Sequence, residues 1–309
     1  MKLNLFLLIS QAIAQECISG PVDFIRDMTV DYNVGNVIRT SNSAQINLIK
    51  TEGGPATGSR LSTIQQYLYG KFTINMSALP VNGVIVTFIT MSDRGDEIDF
   101  EVVGGDKTAA QSNVFYKGIP DYGKRVAYHQ IGDVIGPRTY TIDWTPTYIK
   151  WSVDGRLVRT YSINDRLAVE GMTPRGEKSF PVTPSRIQIG IWDAGSGPEG
   201  TSIWAGGPIP WGSATQMQAS FGNLVVECYK GPGVKSFAVE NPLLPEAVRN
   251  STFPDQSMLM GTSIQSKMME SKHSDFDFSV SQSLNSHSVT SKSSLLLSVI
   301  GYAALAWVL

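Results

Sequence analysis

Three acids stand at alternate positions in one short run, Glu97-Ile98-Asp99-Phe100-Glu101. Along a β-strand successive side chains point to opposite faces. Glu97, Asp99 and Glu101 therefore share one face, while Ile98, Phe100 and Val102 enter the core. A row of like charges repels itself and weakens the strand that carries it, so folding alone does not account for it. Hydrolysis of a glycosidic bond does, because it needs a carboxylate and a carboxylic acid held over one sugar. At ~3.3 Å rise per residue, the Cα atoms of Glu97 and Glu101 lie roughly 13 Å apart on a flat strand. Two glutamate arms leaning together over a curved strand close much of that gap. Retaining enzymes hold their carboxyl groups ~5–5.5 Å apart and inverting ones ~6.5–9.5 Å, and the spacing permits both. Clustered carboxylates do not all ionise cheaply, so at least one is expected to titrate upward, as a general acid at neutral pH must.

Two blander readings compete. The acids could be a solvated outer face, although the strand is poor in other charges. They could bind calcium with Asp93 and Asp96, although calcium is usually wrapped by a loop. Other chemistries find less. His129 is the single histidine of the folded part, so a Ser-His-Asp triad has one candidate base and no supporting motif. A His/Cys zinc cluster and a Gly-rich phosphate loop are both missing from the sequence. No metal and no cofactor are therefore expected. The formal net charge of −2 argues against nucleic acid as a partner.

The elements that must position the acids read as strands. Hydrophobic residues make up 42% of 309, enough for one large all-β domain. Tyr69–Ile74 alternates, Val84–Ile89 is apolar enough for a central strand, and the acidic strand follows the turn Ser92-Asp93-Arg94-Gly95. Tyr148–Val153 and Arg156–Tyr161 flank Asp154-Gly155, a strong hairpin signal because both turn residues tolerate positive φ. Ile187, Ile189 and Ile191 face one way, and Gln188, Gly190 and Trp192 the other. Leu224–Cys228 closes the domain. Neither a long amphipathic helix nor an internal repeat is evident. The fold class expected is an all-β antiparallel sandwich, a jelly roll with one sheet curved over a groove.

Both ends carry addresses. Residues 1–14, with Lys2 before Leu5-Phe6-Leu7-Leu8-Ile9 and Ala12-Ile13-Ala14, read as a secretory signal cleaved after Ala14. From residue 232 the composition shifts, with 14 serines between Ser251 and Ser294, too polar to offset chain entropy by burial. Residues 232–286 are expected to be a flexible stalk. The apolar run Leu295–Leu309 falls short of the ~20 residues of a spanning helix. With its polar spacer it reads as a removed glycosylphosphatidylinositol signal over 287–309, with attachment at Ser286. Together these expect a secreted, lipid-anchored surface protein with an ordered domain over 15–231. Secretion makes a Cys17–Cys228 disulfide plausible, tying the domain's ends together, with two unpaired thiols as the alternative. Asn75-Met76-Ser77 and Asn250-Ser251-Thr252 fit the glycosylation pattern at Asn75 and Asn250.

The run Asp96-Glu97-Ile98-Asp99-Phe100-Glu101, followed by Gly104-Gly105-Asp106, resembles the signature of glycoside hydrolase family 16. Its setting is similar to the fungal Crh-type chitin–glucan crosslinking transglycosylases. Tyr69-Gly70-Lys71-Phe72, Gln111-Ser112-Asn113-Val114-Phe115, Tyr140-Thr141-Ile142-Asp143-Trp144, Gly190-Ile191-Trp192 and Glu199–Gly207 fall in the expected order. The resemblance covers roughly residues 60–230 and implies a concanavalin A-like jelly roll with a concave active face. It implies Glu97 as nucleophile, Asp99 as assisting residue and Glu101 as general acid/base. It offers Trp192 and Trp204 as sugar platforms, with Phe115, Tyr116 and Lys117 beside them. Asn113 and Gln188 are candidates to bind sugar hydroxyls. Two departures stand out: Phe100 where the fungal subgroup often has Trp, and one N-terminal cysteine, Cys17, where it often has a close pair. The implied reaction takes a chitin donor and a β-glucan acceptor. The alternatives are a plain endo-β-glucanase and a sugar-binding module without chemistry.

Overall fold

A computed structural model describes residues 14–119, 123–170, 178–231 and 237–240, the last four and residues 14, 15 and 170 by backbone only. The described residues build two antiparallel sheets. In pairing order the first runs Ala14–Glu16, Phe237–Glu240, Gln65–Leu68, Ser185–Asp193, Val84–Ser92, Glu97–Val103, Ala109–Phe115 and Ala127–Gln130. Ser59–Thr63 also pairs with Ser185–Asp193 and carries Met28–Tyr32 on its far side. The second sheet runs Arg156–Ser162, Tyr148–Val153, Arg138–Trp144, Gly70–Ser77, Gln216–Cys228, Ser43–Ile49 and Val37–Arg39. Gly20–Pro21 pairs with Gln216–Cys228. Helix among the described residues is confined to short pieces, Val34–Asn36, Arg166–Glu170 and Glu199–Trp204, and none is long and apolar enough to cross a membrane. The expected all-β sandwich is the observed fold.

The core lies between the sheets and follows the period of two. Ile98 and Phe100 of the acidic strand, Phe88, and Ile187, Ile189 and Ile191 are fully buried in one cluster. Phe72, Ile74, Tyr140, Ile142, Ile149 and Trp151 meet them from the second sheet. Trp144 and Trp151 are both core residues, wholly buried. The hairpin at Asp154-Gly155 forms as read: φ is 49° and 76° at the two residues, the pair of positive values a two-residue turn needs to match strand twist. Gly95 turns the chain into the acidic strand at φ 78°. A Cβ there would lie 2.6 Å from the Gly118 nitrogen, so glycine is required for conformation and for space.

Cys17 and Cys228 form the expected disulfide, closing a separation of 211 residues. Asn75 lies in mid-strand on the second sheet, opposite Thr139 and Gly222, where its Oδ1 accepts a hydrogen bond from Thr139 Oγ1 at 3.0 Å. Phe237–Glu240 adds a strand to the first sheet from within the segment read as stalk. The signal before Ala14, Asn250, Ser286 and the C-terminal tail lie outside the described residues.

Candidate active site

Directly opposed residues of antiparallel strands project from the same face, so the pairing register maps the site. Asp99 lies opposite Asn113 on one side and Ile89 on the other, and Ile89 lies opposite Gln188. Glu101 lies between Gln111 and Thr87, with Gly190 and Arg60 beyond Thr87 and Tyr128 beyond Gln111. Glu97 lies between Phe115 and Met91. One step past Glu101, Val103 lies opposite Ile85, which lies opposite Trp192. The register thus brings Asn113, Phe115, Gln188 and Trp192 onto the face of the three acids, as expected from sequence.

That face is turned away from the main core, yet Glu97 is 8% and Asp99 3% exposed. An open outer sheet would leave them in water, so the row lies in a recess. One wall is a second apolar cluster of Ile85, Val103, Ala194 and Ala205, with Trp192 and Trp204 packed against it. Trp204 comes from the helix Glu199–Trp204 and stands 6.2 Å from Trp192, ring centre to ring centre, tilted by 34°. Its Nε1 donates to Gln111 Oε1 at 3.0 Å, which fixes the indole beside the Glu101 row. Both indoles are half-buried, leaving apolar ring surface for a ligand.

Tyr116 does not join the row. The strand ends at Phe115, Tyr116 is buried and bridges Ile119, and Lys117 takes φ 52°. The exposed Lys117 folds its Nζ over the Tyr116 ring at 4.8 Å. Asp93 and Asp96 are engaged by protein donors, against the calcium reading. Asp93 accepts from Gln66 Nε2 at 2.7 Å and pairs with Arg186 at 3.1 Å. Asp96, wholly buried, accepts the backbone N–H groups of Lys117, Val182 and Thr183 and the hydroxyl of Thr183. His129 is buried against Ser112 Oγ at 2.8 Å, and burial followed by the charge of Arg159 pushes its pKa down to about 4.

The carboxyl row is electrostatically uneven. Burial raises the Glu97 carboxyl, and a hydrogen bond from Asp99 and the positive charge of Arg60 pull it partly back. Burial also raises Glu101, and there the charge of Glu97 adds to the rise. Glu101 is partly exposed, so water softens the effect of burial, but its charged neighbour pushes the same way. The two surroundings thus differ: Glu97 has a hydrogen-bond donor and a cation beside it, and Glu101 has a like charge. A proton-bearing acid beside a more readily ionised carboxylate is the division of labour that glycosidic chemistry uses.

Gln111, Arg60, Thr87 and Tyr128 were not singled out from sequence. Gln111 carried a signal, since it alternates with Asn113 and Phe115. Arg60 carried none: it reaches the site through a strand 37 residues upstream of Glu97, held by Asp31 Oδ2 at 2.6 Å.

A two-sheet jelly roll with a three-carboxyl row recessed in one sheet defines the class, and the chain belongs to glycosyl hydrolases family 16, matched over residues 24–213. Within that family it is of the fungal Crh type. It is 38% identical over 197 residues to Crh-like protein 2 of Aspergillus fumigatus, covering 60% of this chain and 43% of that protein. To Crh-like protein 5 of the same species it is 40% identical over 144 residues, covering 46% and 34%. The chain thus spans under half the length of these curated relatives. Among solved structures it is similar to a Crh5 transglycosylase in complex with NAG, with TM-score 0.56 and 30% identity over 74% of this chain and 88% of that one. The Bacillus licheniformis β-glucanase shares the fold at TM-score 0.56 and 23% identity, covering 70% of this chain and 100% of that one.

Proposed function

We propose that this chain is a retaining cell-wall transglycosylase that cleaves a β-1,4-linked chitin-type donor and joins the new end to a β-glucan acceptor. The observation that carries the reading is the recessed acid row itself: Glu97, Asp99 and Glu101 share one face with Asn113, Phe115, Gln188 and Trp192, and burial raises both Glu97 and Glu101. In the first step a Glu97 oxygen attacks the anomeric carbon, the glycosidic C–O bond breaks, and Glu101 gives its proton to the leaving oxygen. A glycosyl-enzyme ester results. In the second step an acceptor hydroxyl attacks the same carbon, Glu101 takes the hydroxyl proton, and Glu97 leaves as carboxylate. Two displacements restore the original anomeric configuration. Asp99 keeps Glu97 oriented and shares its proton.

Trp192 and Trp204 supply ring faces for sugar, and Asn113, Phe115 and Gln188 line the floor around the acids. Lys117, at the rim next to Tyr116, is a contact for a longer chain. The Crh-like relatives and the NAG-bound Crh5 transglycosylase support a cell-wall polysaccharide substrate. The two end segments support export and lipid anchoring at the cell surface, with Asn75 and Asn250 as glycan acceptors. The test is product analysis by mass spectrometry with chitin oligosaccharides, with and without a fluorescent laminarin-type acceptor. Labelled hybrid products that vanish in Glu97→Gln are expected. Shortened oligosaccharides alone would make the protein a hydrolase, and sugar binding without products would make it a binding module.

A further inference from the structure

Three observations on the side of the acidic strand away from the substrate converge on one side chain. The first is a hydrogen bond. Trp151, on Tyr148–Val153 of the second sheet, is wholly buried and crosses the core to donate its indole N–H to the carbonyl oxygen of Asp99 at 2.9 Å. The second is a cation. The Arg159 guanidinium lies 4.9 Å above the Trp151 ring and 5.6 Å from that of Tyr161. Its nitrogens donate to Ser112 O and Ser112 Oγ at 2.9 Å each and to Arg125 O at 2.7 Å. Ser112 is the direct cross-strand partner of Phe100, so Arg159 grips the neighbour of the acidic strand while Trp151 grips the strand itself.

The third observation explains how Arg159 gets there. The pairing of Tyr148–Val153 with Arg156–Ser162 shifts register between Trp151 and Ser152. Ser152 lies opposite Leu157, but Trp151 lies opposite Arg159, so Val158 is an extra residue on its strand. In an unshifted ladder Val158 would face Trp151 and the guanidinium would point to solvent. A bulge re-aims a side chain at the cost of a ladder bond, and this one puts a cation on the indole that holds Asp99.

We propose that Trp151, steadied by Arg159, is a positioning residue that sets the height of Asp99 in the acid row. It touches no substrate. Its indole N–H fixes a backbone oxygen, the backbone fixes the Asp99 carboxyl, and that carboxyl bonds Glu97. A displacement of about 1 Å at a reacting group costs roughly a hundredfold in rate, so partial release costs tenfold or more.

The inference rests on the proposed reaction for its kinetic test, and a second readout stands apart from activity. The decisive variant is Trp151→benzothienylalanine, introduced site-specifically in the full-length chain. It keeps the size and shape of the indole and replaces N–H with sulfur. The expected result is at least a tenfold loss of kcat with KM unchanged. In parallel, a 13C NMR titration of the Glu97 carboxyl is expected to move its midpoint upward, because Asp99's bond to Glu97 is what draws it down. Arg159→Lys keeps the charge, loses the fork, and is expected to give the same two changes in smaller measure. A kcat within twofold of wild type, or an unmoved Glu97 titration, overturns the proposal. A parallel fall of kcat and melting temperature with the Glu97 midpoint unmoved would make Trp151 a core residue only. If the wild-type protein turns over no donor, the proposed reaction fails while the titration still decides whether Trp151 positions Asp99.

Discussion

Asp96→Asn is the substitution whose effect can be worked most directly from the structure. The side chain is wholly buried just ahead of the acidic strand. Oδ1 accepts the Lys117 N–H at 3.0 Å. Oδ2 accepts the N–H groups of Val182 and Thr183 at 2.9 and 3.0 Å and the Thr183 hydroxyl at 2.6 Å. Asparagine offers one acceptor oxygen and two donor hydrogens. Its better orientation keeps oxygen toward the three donors and turns the amide against the Lys117 N–H. Three bonds then fall from the charged range of about 1.5–3 kcal/mol to the neutral range of about 0.5–1.5, and one buried donor is orphaned at about 1–3 kcal/mol. The sum is about 6 kcal/mol, roughly 4 from the three weakened bonds and about 2 from the orphan. For a domain of this size each kcal/mol moves the melting temperature by about 2–4 °C, so a fall of about 12–24 °C is expected by scanning calorimetry at neutral pH. Asp93→Asn is the matched control. Its partner pair with Arg186 is 58% exposed on the aspartate side, and such pairs contribute about 0–1 kcal/mol, so it should move the transition by under about 4 °C. If Asp96→Asn shifts the transition no more than Asp93→Asn does, the reading of Asp96 as the anchor of the acidic strand is wrong.

Glu101→Gln should lower turnover by about 10²–10⁴ by removing the general acid and should also stabilise the fold at neutral pH. The sign follows from linkage: the folded pKa of Glu101 lies above its unfolded value, so wild type carries no penalty below the unfolded pKa and loses stability as pH rises toward the folded one. Melting curves from pH 4 to 8 should show the variant pulling ahead only as pH rises, and a constant offset would contradict the burial argument. Replacing both cysteines, Cys17→Ser with Cys228→Ser, opens a loop spanning 211 residues, worth about 5 kcal/mol by chain entropy. Calorimetry should record a fall of about 10–20 °C, and a fall under 3 °C would refute that origin of stability. Trp204→Ala removes a ring face held over the Glu101 row. An increase in KM of about tenfold, or 1.4 kcal/mol, is expected, and an unchanged KM for oligosaccharides would remove Trp204 from the sugar site.

What was legible in the sequence was what local periodicity encodes. Alternation at Ile187–Trp192 told which residues face the core, and Asp154-Gly155 told where a hairpin turns, because each depends on neighbours in the chain. The acid row is legible for the same reason: residues two apart must share a face. Arg60, Thr87 and Tyr128 needed the register between strands, which is set by long-range pairing. Tyr116 is off the face by that same period of two, since the alternation that sets Asn113 and Phe115 beside the acids turns Tyr116 the other way, and the strand ends at Phe115. The bulge at Val158 was silent, since a one-residue slip leaves the pattern of Arg156–Tyr161 looking like an ordinary strand.

The acidic strand divides its work by parity. Its odd residues form a row that opposes folding, since burial disfavours the charge of Glu97 and Glu101 and each repels the other. Its even residues oppose that tendency. Ile98 and Phe100 are wholly buried, and Phe100 meets Tyr140 edge-on at 5.0 Å and His129 at 6.3 Å. Burying such a side chain contributes about 1.5–3 kcal/mol, and an edge-on aromatic pair about 0.5–1.5 more. Asp96 anchors the strand's start, and Trp151 holds its middle through the Asp99 carbonyl. The strand thus stays in place while three carboxyl groups repel one another, and this is why removing a carboxyl should raise stability while removing an even-numbered partner should lower it. A strand held only at its ends would relieve the repulsion by bending the acids apart. The interior contacts at Asp99 and Phe100 keep them close enough to interact, and that closeness, with burial, is what raises the carboxyls on which the proposed chemistry depends.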